Sequence, residues 1–190
     1  MRKVIAIIGD AKTAGRDTFK YRIAFETGKA VIDNGYRLQC GGLGGVMEAA
    51  CAGAKSSANY REGDIIGILP SFDINERNQY IDIAIPTGID VYRNVIVANA
   101  AAVIAIGGGS GTLCEMANAW ALHRMVLAYT NCGGWAAKTA GAPLDDRVRY
   151  PEIVDDKIYP VESPQQALEL INARVDRYSH YHKGIVFFKD

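Results

Sequence analysis

The sequence predicts a single α/β domain of the Rossmann-like, doubly wound class, with a mostly parallel sheet and helices on both faces. Short, wholly apolar segments alternate with longer helical segments, and glycine-rich turns follow several of the apolar ones. Strands buried on both faces read as continuous hydrophobic runs, which is typical of parallel sheets. Because one core can span 190 residues, we expect one domain over residues 1–175 and a C-terminal tail over residues 176–190.

The elements follow one another with short connections. Strands are predicted at residues 4–8, 36–40, 64–69, 80–85, 101–106, 126–129 and 157–161. Helices are predicted at residues 17–33, 46–57, 90–100, 112–124 and 133–140, and from Pro164 onward. Ser163 is a good N-cap for the last helix, and proline is favoured at its first position. Ligands of such folds bind at the carboxyl ends of the strands, so we expect a site there.

Two segments do not fit this alternation. Residues 141–156 lack a clear helical or strand pattern, and we interpret them as a candidate lid. The tail, residues 176–190, carries the run Ile185-Val186-Phe187-Phe188. Because this run is too apolar to be left in water, we expect the tail to pack on the domain or on a neighbouring subunit.

Charge and cysteine content restrict the classes of partner. Lysine plus arginine and aspartate plus glutamate both total 21, so no overall field favours nucleic acid or an anionic membrane. Cys40, Cys51, Cys114 and Cys132 lie far apart, without the spacing of a zinc site. No apolar run reaches the roughly 18 residues of a membrane helix. We therefore expect a cytoplasmic protein with reduced thiols and with neither a metal nor a resident cofactor.

A turn made only of glycine, serine and threonine follows the fifth predicted strand. There the chain reads Gly107, Gly108, Gly109, Ser110, Gly111 and Thr112 before a helix begins. Glycines allow backbone amides to approach an anion closely, and the helix N-terminus adds a partial positive charge. These six residues are therefore predicted to bind phosphate, and the protein to bind a phosphorylated, nucleotide-like small molecule.

Two further turns meet the same edge of the predicted sheet. The first strand ends at Gly9 and Asp10, and the second is followed by Gly41, Gly42, Gly44 and Gly45. We include these residues in the predicted ligand site. The turns match neither the Walker pattern nor G-x-G-x-x-G, so an ordinary ATPase or NAD dehydrogenase is not indicated.

Two charged residues flank the predicted phosphate seat. Glu115 lies three residues after Thr112; that spacing fits a capping box, but a carboxylate there could equally contact ribose or act as a general base. Arg93 precedes the glycine-rich turn and offers paired donors to phosphate, although it could instead form a surface salt bridge. Both alternatives stay open from the residues alone.

These motifs resemble those of the LONELY GUY and lysine-decarboxylase-like superfamily. Its P-G-G-x-G-T-x-x-E segment is similar to residues 107–115, with glycine in place of the proline, and its second glycine turn is similar to residues 41–47. Its Arg-Lys pair corresponds to Arg93 and Asn94. The resemblance implies cleavage of the N-glycosidic bond of nucleoside 5′-monophosphates, with Arg93 and Glu115 as the catalytic pair.

The resemblance leaves other functions open. The related molybdenum cofactor carrier protein implies a carrier or sensor without catalysis. The related DNA-processing protein A implies single-strand binding, which the balanced charge argues against. The family also implies a homo-oligomer, a dimer or tetramer, consistent with the apolar residues of the stretch 91–100.

Overall fold

A computed structural model describes residues 2–16 and 18–178 and shows an α/β fold around one parallel sheet. Within that part of the chain the sheet has seven strands in the order β4-β3-β2-β1-β5-β6-β7, and every neighbouring pair is parallel. The strands are β1 Val4–Gly9, β2 Arg37–Cys40, β3 Ile65–Leu69, β4 Ile83–Pro86, β5 Ala102–Ile106, β6 Met125–Tyr129 and β7 Tyr159–Val161. The predicted doubly wound class is confirmed.

The described part contains six α-helices, five between strands and α6 after the last strand. They are α1 Phe19–Asp33, α2 Val46–Ser56, α3 Asn94–Ala98, α4 Ser110–Ala121, α5 Gly134–Thr139 and α6 Pro164–Arg174. The Thr18 hydroxyl caps α1 by accepting from the Tyr21 amide, and the Ser163 hydroxyl caps α6 by accepting from the Gln166 amide. The start of α6 was predicted from this Ser-Pro pair.

The predicted helix over residues 90–100 is wrong as a single element. A 3₁₀ turn, Asp90–Arg93, precedes the five-residue helix α3. The segment starts with left-handed backbone at Asp90, where φ is 49°. Val91 and Tyr92 are exposed, whereas Val97 and Ala98 pack into the core. Arg93 and Asn94 are buried as well, so the inner face of the segment carries two polar side chains beside its apolar ones.

The core forms two layers, one on each face of the sheet. Along β1, Ile5 and Ile7 pack into one layer, while Ala6 and Ile8 pack into the other. This alternation follows from the period of two in a strand. On the first face, α1 and α2 cross at Gly28, where an added Cβ would lie 2.0 Å from the Ala50 carbonyl oxygen. Such close contact between two helices requires glycine.

The direction of chain progression reverses between β1 and β5. From β1 the chain proceeds outward through β2 and β3 to β4, and then crosses back to place β5 on the other side of β1. In open α/β sheets, a crevice outside the carboxyl ends of the strands forms at such a switch point. The predicted glycine turns after β1 and β5 both lie there.

The segment of residues 141–156 packs at the far end of α4. The Arg149 guanidinium lies 3.5 Å from the centre of the Trp120 ring, donates to the carbonyl oxygens of Trp120 and Arg124, and pairs with Asp156. These contacts satisfy carbonyls at the C-terminal end of α4, whereas the glycine turn lies at its N-terminal end. The interpretation of this segment as a lid is therefore wrong.

The start of the predicted tail packs on the domain. Residues Val175–Tyr178 form a 3₁₀ turn in which Val175 and Tyr178 are buried. The apolar run at residues 185–188 lies outside the described residues. In the described part, none of the helices has the length and apolar character needed to cross a bilayer.

Candidate ligand site

A pocket of about 320 Å³ opens at the switch point between β1 and β5. Four segments form its walls: the end of β1, the turn between β2 and α2, the start of α3 and the first turns of α4. The residues that line it are Gly9, Asp10, Ala11, Leu43, Met47, Arg93, Asn94, Gly109, Ser110, Gly111, Thr112 and Glu115. The fold therefore brings together the ends of both halves of the sheet, as predicted for a site of this class.

The N-terminus of α4 presents unbonded amides to this pocket. Gly109 is the N-cap, and no side chain caps the helix. Within residues 2–16 and 18–178, the amides of Ser110 and Gly111 donate to no protein group, and the first backbone bond of the helix is made by the Leu113 amide. Added Cβ atoms on Gly109 and Gly111 would meet nothing within 4 Å. Free amides and a helix dipole at an open surface form an anion seat.

Glu115 does not cap this helix, so the capping-box alternative is wrong. The helix begins at Ser110, two residues before Thr112, and Thr112 is therefore inside the first turn rather than at the N-cap. The Thr112 side chain packs against Gly108 instead, within 2.2 Å of an added Cβ there. Glu115 Oε1 accepts a hydrogen bond of 3.3 Å from Arg93 Nη1.

Arg93 and Glu115 form a buried ion pair at the base of the pocket. Only 8% of Arg93 and 7% of Glu115 is exposed. Burial disfavours the charged carboxylate and raises the pKa of Glu115 to about 7, although the Arg93 guanidinium opposes this shift.

The Arg93 guanidinium retains a donor without a protein partner. Its Nε atom is buried and makes no hydrogen bond within the described part of the chain. The guanidinium lies against Gly41, where an added Cβ would be 2.3 Å from Nη1. A buried unpaired N–H is costly, and an anion in the pocket is a suitable partner for it.

Gly107 and Gly108 shape the turn without lining the pocket. Their φ angles are +67° and +91°, and their carbonyl oxygens accept from the amides of Ala136 and Trp135 at the start of α5. Proline cannot adopt a positive φ, so this turn differs in backbone from the proline-containing family segment.

The turn between β2 and α2 is held by the protein's own groups. The Asn78 side chain donates to the carbonyl oxygens of Gly42 and Leu43, and the Val46 amide donates to the Asp10 carbonyl oxygen. Gly41, Gly42, Gly44 and Gly45 lie behind the pocket and do not line it. This turn places the Leu43 side chain in the wall and supports Arg93.

Sequence reasoning missed four residues that line the pocket: Ala11, Leu43, Met47 and Asn94. Each is a near neighbour of a predicted residue, and Leu43 lies inside a predicted glycine turn. Their closeness in sequence to predicted site residues was the only signal that could have identified them. Apolar residues in such turns are normally assigned to the core.

Asp10 was predicted to bind phosphate, but its carboxylate cannot donate to an anion. It pairs with the ammonium group of Lys20, and both side chains are about 30% exposed. Its Oδ2 atom lies close to Gly107, 2.4 Å from the position of an added Cβ. The pocket therefore combines an anion seat with a carboxylate at its rim.

Other cavities and clusters are less suited to ligand chemistry. A groove of about 580 Å³ lies between α1 and α6, but its charged residues are surface groups such as Lys29 and Asp33, which pair with each other. Within residues 2–16 and 18–178, no three His, Cys, Asp or Glu side chains are grouped so as to hold a metal ion.

Comparison with solved structures gives two relatives of similar architecture. The molybdenum cofactor binding protein of Rippkaea orientalis is 28% identical, with a TM-score of 0.72, over 91% of this chain and 97% of that one. The molybdenum cofactor carrier protein of Chlamydomonas reinhardtii is 26% identical, with a TM-score of 0.69, over 90% and 98% of the two chains. DNA processing protein A of Helicobacter pylori, at 16% identity and a TM-score of 0.59, shares the fold.

Sequence comparison places the chain in a family. An uncharacterised protein of Archaeoglobus fulgidus is 40% identical over 114 residues, which make up 60% of this chain and 70% of that protein. Residues 2–167 match the SLOG cluster4 family. The resemblance predicted from the glycine motifs is thereby confirmed, and the chain belongs to the SLOG cluster4 family.

Proposed function

We propose that this protein binds a phosphorylated, nucleotide-like small molecule in the pocket between β1 and β5. The free amides at the start of α4 bind the phosphate, and the Arg93 guanidinium neutralises its charge. The main support is the unpaired Nε of a 92%-buried arginine beside uncapped helix amides. The buried, unpaired Nε is costly, and a bound anion would offset that cost.

Binding is tested by calorimetric titration of the protein with inorganic phosphate, ribose 5-phosphate and adenosine 5′-monophosphate. We expect the nucleotide to bind and to raise the melting temperature in proportion to the logarithm of its concentration. If phosphate, sugar phosphate and nucleotide all fail to bind at millimolar concentration, the proposal is wrong.

The proposed binding has two alternatives, a catalytic and a non-catalytic one. In the catalytic alternative, the protein is a nucleoside monophosphate phosphoribohydrolase. Water would replace the base at the sugar carbon, and the bond between that carbon and the base nitrogen would break. Glu115, in its ionised form, would stabilise the positive charge that develops on the sugar. The observation that favours this role is that Glu115 faces the pocket with a pKa of about 7 and does not cap its helix.

A non-catalytic carrier or sensor is the second form. It is supported by the two structural relatives whose names state molybdenum cofactor binding and carrying. The two forms are separated by incubating the protein with a panel of nucleoside 5′-monophosphates and measuring the free base by chromatography. Release of base that is lost in Glu115→Gln supports the hydrolase; binding without release supports the carrier.

We also propose a cytoplasmic homo-oligomer, a dimer or tetramer. Support comes from an apolar face next to the site, formed by the edge strand β4 and the segment of residues 89–96. Its exposed members are Ile83, Ile85, Ile89, Val91, Tyr92, Val95 and Ile96. A large exposed apolar patch is typical of an interface. Nucleic acid is the less favoured partner, since the net charge is zero.

A further inference from the structure

Asp10 and Lys20 form a charged pair at the rim of the pocket. Asp10 follows β1 directly, lines the pocket, and pairs with Lys20 from the first turn of α1. Asp10 is part of the lining and Lys20 is not. A site for a bare anion would gain affinity from the reverse arrangement, with the ammonium group toward the ligand.

The position of the pair is fixed by the backbone of the glycine turn. An added Cβ at Gly107 would lie 2.4 Å from Asp10 Oδ2 and 2.8 Å from Lys20 Nζ. The absent side chain and the positive φ of Gly107 therefore leave room for both charged groups beside the anion seat. The ion pair with Lys20 orients the carboxylate, and about 28% of the Asp10 side chain is exposed.

We infer that Asp10 is a specificity-determining residue that selects phosphorylated ligands carrying a hydroxyl or amino donor next to the phosphate. This inference rests on the proposed function. An ionised carboxylate accepts hydrogen bonds and repels anions. A sugar phosphate or nucleotide donates a sugar hydroxyl to it and gains a charge-assisted bond. Inorganic phosphate carries no donor beyond the group bound at the amides, so the Asp10 charge repels it. Specificity then comes from a repulsive element as well as an attractive one.

The test uses Asp10→Asn, which keeps the shape and removes the charge, with ribose 5-phosphate and inorganic phosphate as probes in calorimetric titrations. We expect the variant to bind ribose 5-phosphate about tenfold more weakly, for the loss of one charge-assisted bond. It should bind inorganic phosphate roughly threefold more tightly, because the repulsion at the rim is removed. Asp33→Asn is the matched control, since Asp33 also pairs with a lysine but lies outside the pocket.

A second variant, Lys20→Gln, should have the opposite effect on binding of inorganic phosphate. This variant leaves the Asp10 carboxylate without its cation, so we expect weaker binding of inorganic phosphate. The ratio of the affinity for ribose 5-phosphate to that for inorganic phosphate should therefore increase. Circular dichroism shows whether each variant is folded. If Asp10→Asn changes both affinities in the same direction, or neither, Asp10 does not select the ligand. If the wild type binds adenosine 5′-monophosphate but neither probe, the inference about Asp10 is wrong. If it does not bind the nucleotide either, the proposed function itself fails.

Discussion

The two glycine-rich turns of this protein look alike in sequence and differ in what their backbones do. In the turn between β2 and α2, the Asn78 side chain donates hydrogen bonds to two carbonyl oxygens. A Cβ atom added to Gly45 would lie only 2.3 Å from the Asp10 carbonyl oxygen. In the turn between β5 and α4, Gly109 and Gly111 have open space around them. One turn is filled by the protein's own atoms, and the other leaves its helix N-terminus open.

This difference shows that glycine content alone does not identify a ligand site. Glycine is needed wherever φ is positive or another backbone comes close, and it is equally needed where a ligand must reach the amides. The distinction lies in whether the backbone groups are already bonded within the protein. The following predictions are ordered from the largest expected effect to the smallest.

The first prediction compares one glycine from each turn. Gly45→Ala should lower the free energy of unfolding by about 3 kcal/mol, because Gly45 has a φ of +65° and its Cβ would overlap backbone atoms. Gly111→Ala should change it by less than about 1 kcal/mol, since it lies in a helix with free space around it. Urea unfolding measures both, and equal losses would contradict the contrast between the turns.

The second prediction concerns pH. The folded state raises the pKa of Glu115 from 4.5 to about 7, so it holds this proton more tightly than the unfolded chain. The stability that follows is fully present below pH 4.5 and is lost as the pH rises through about 7, by about 3 kcal/mol in total.

Glu115→Gln should abolish this component. Unfolding in urea at pH 5 and pH 8 should therefore show a larger loss of stability in the wild type than in the variant. Parallel behaviour of the two proteins would indicate that the Arg93 guanidinium compensates the burial of Glu115 completely.

The third prediction tests the anion seat. Arg93→Met keeps an apolar stem of similar length but removes the cation, and should weaken nucleotide binding by about 1.5–3 kcal/mol, the value of a charge-assisted bond. The fold should tolerate the change, because Glu115 can become neutral by binding a proton. Arg174→Met, which removes an arginine paired with Asp155 on the remote helix α6, is the control in calorimetry. Unchanged affinity in Arg93→Met would exclude Arg93 from the site.

The last prediction concerns assembly. Ile85→Lys places a charge on the exposed apolar face at the edge strand β4, and should shift sedimentation toward the monomer. The unfolding free energy of each subunit should change by only about 0.5 kcal/mol, because Ile85 is 43% exposed. Val154→Lys is the control, at a fully exposed valine away from this face. If both variants sediment like the wild type, this face is not the interface.

Most of the sheet was predictable from the residues, because strands buried on both faces appear in the sequence as continuous apolar runs. The strands at the centre, β1 and β5, begin and end within one residue of their predicted positions. The segment of residues 90–100 was mispredicted for a physical reason. Several of its hydrophobic residues, such as Val91 and Tyr92, face outward, and a prediction from hydrophobic periodicity assumes that they face the core.

The sequence by itself determined the class of fold and the sheet edge at which a pocket forms, and it marked Arg93 and Glu115 as candidates beside that pocket. These follow from local chemistry: apolar runs, turn residues and a helix start. Only the tertiary structure decided which glycine turn leaves open space at its helix N-terminus, that Glu115 pairs with Arg93 rather than capping its helix, and that Asp10 meets Lys20 over Gly107. Those contacts join residues distant in the chain, and their hydrogen bonds and burial exist only after the strands have assembled.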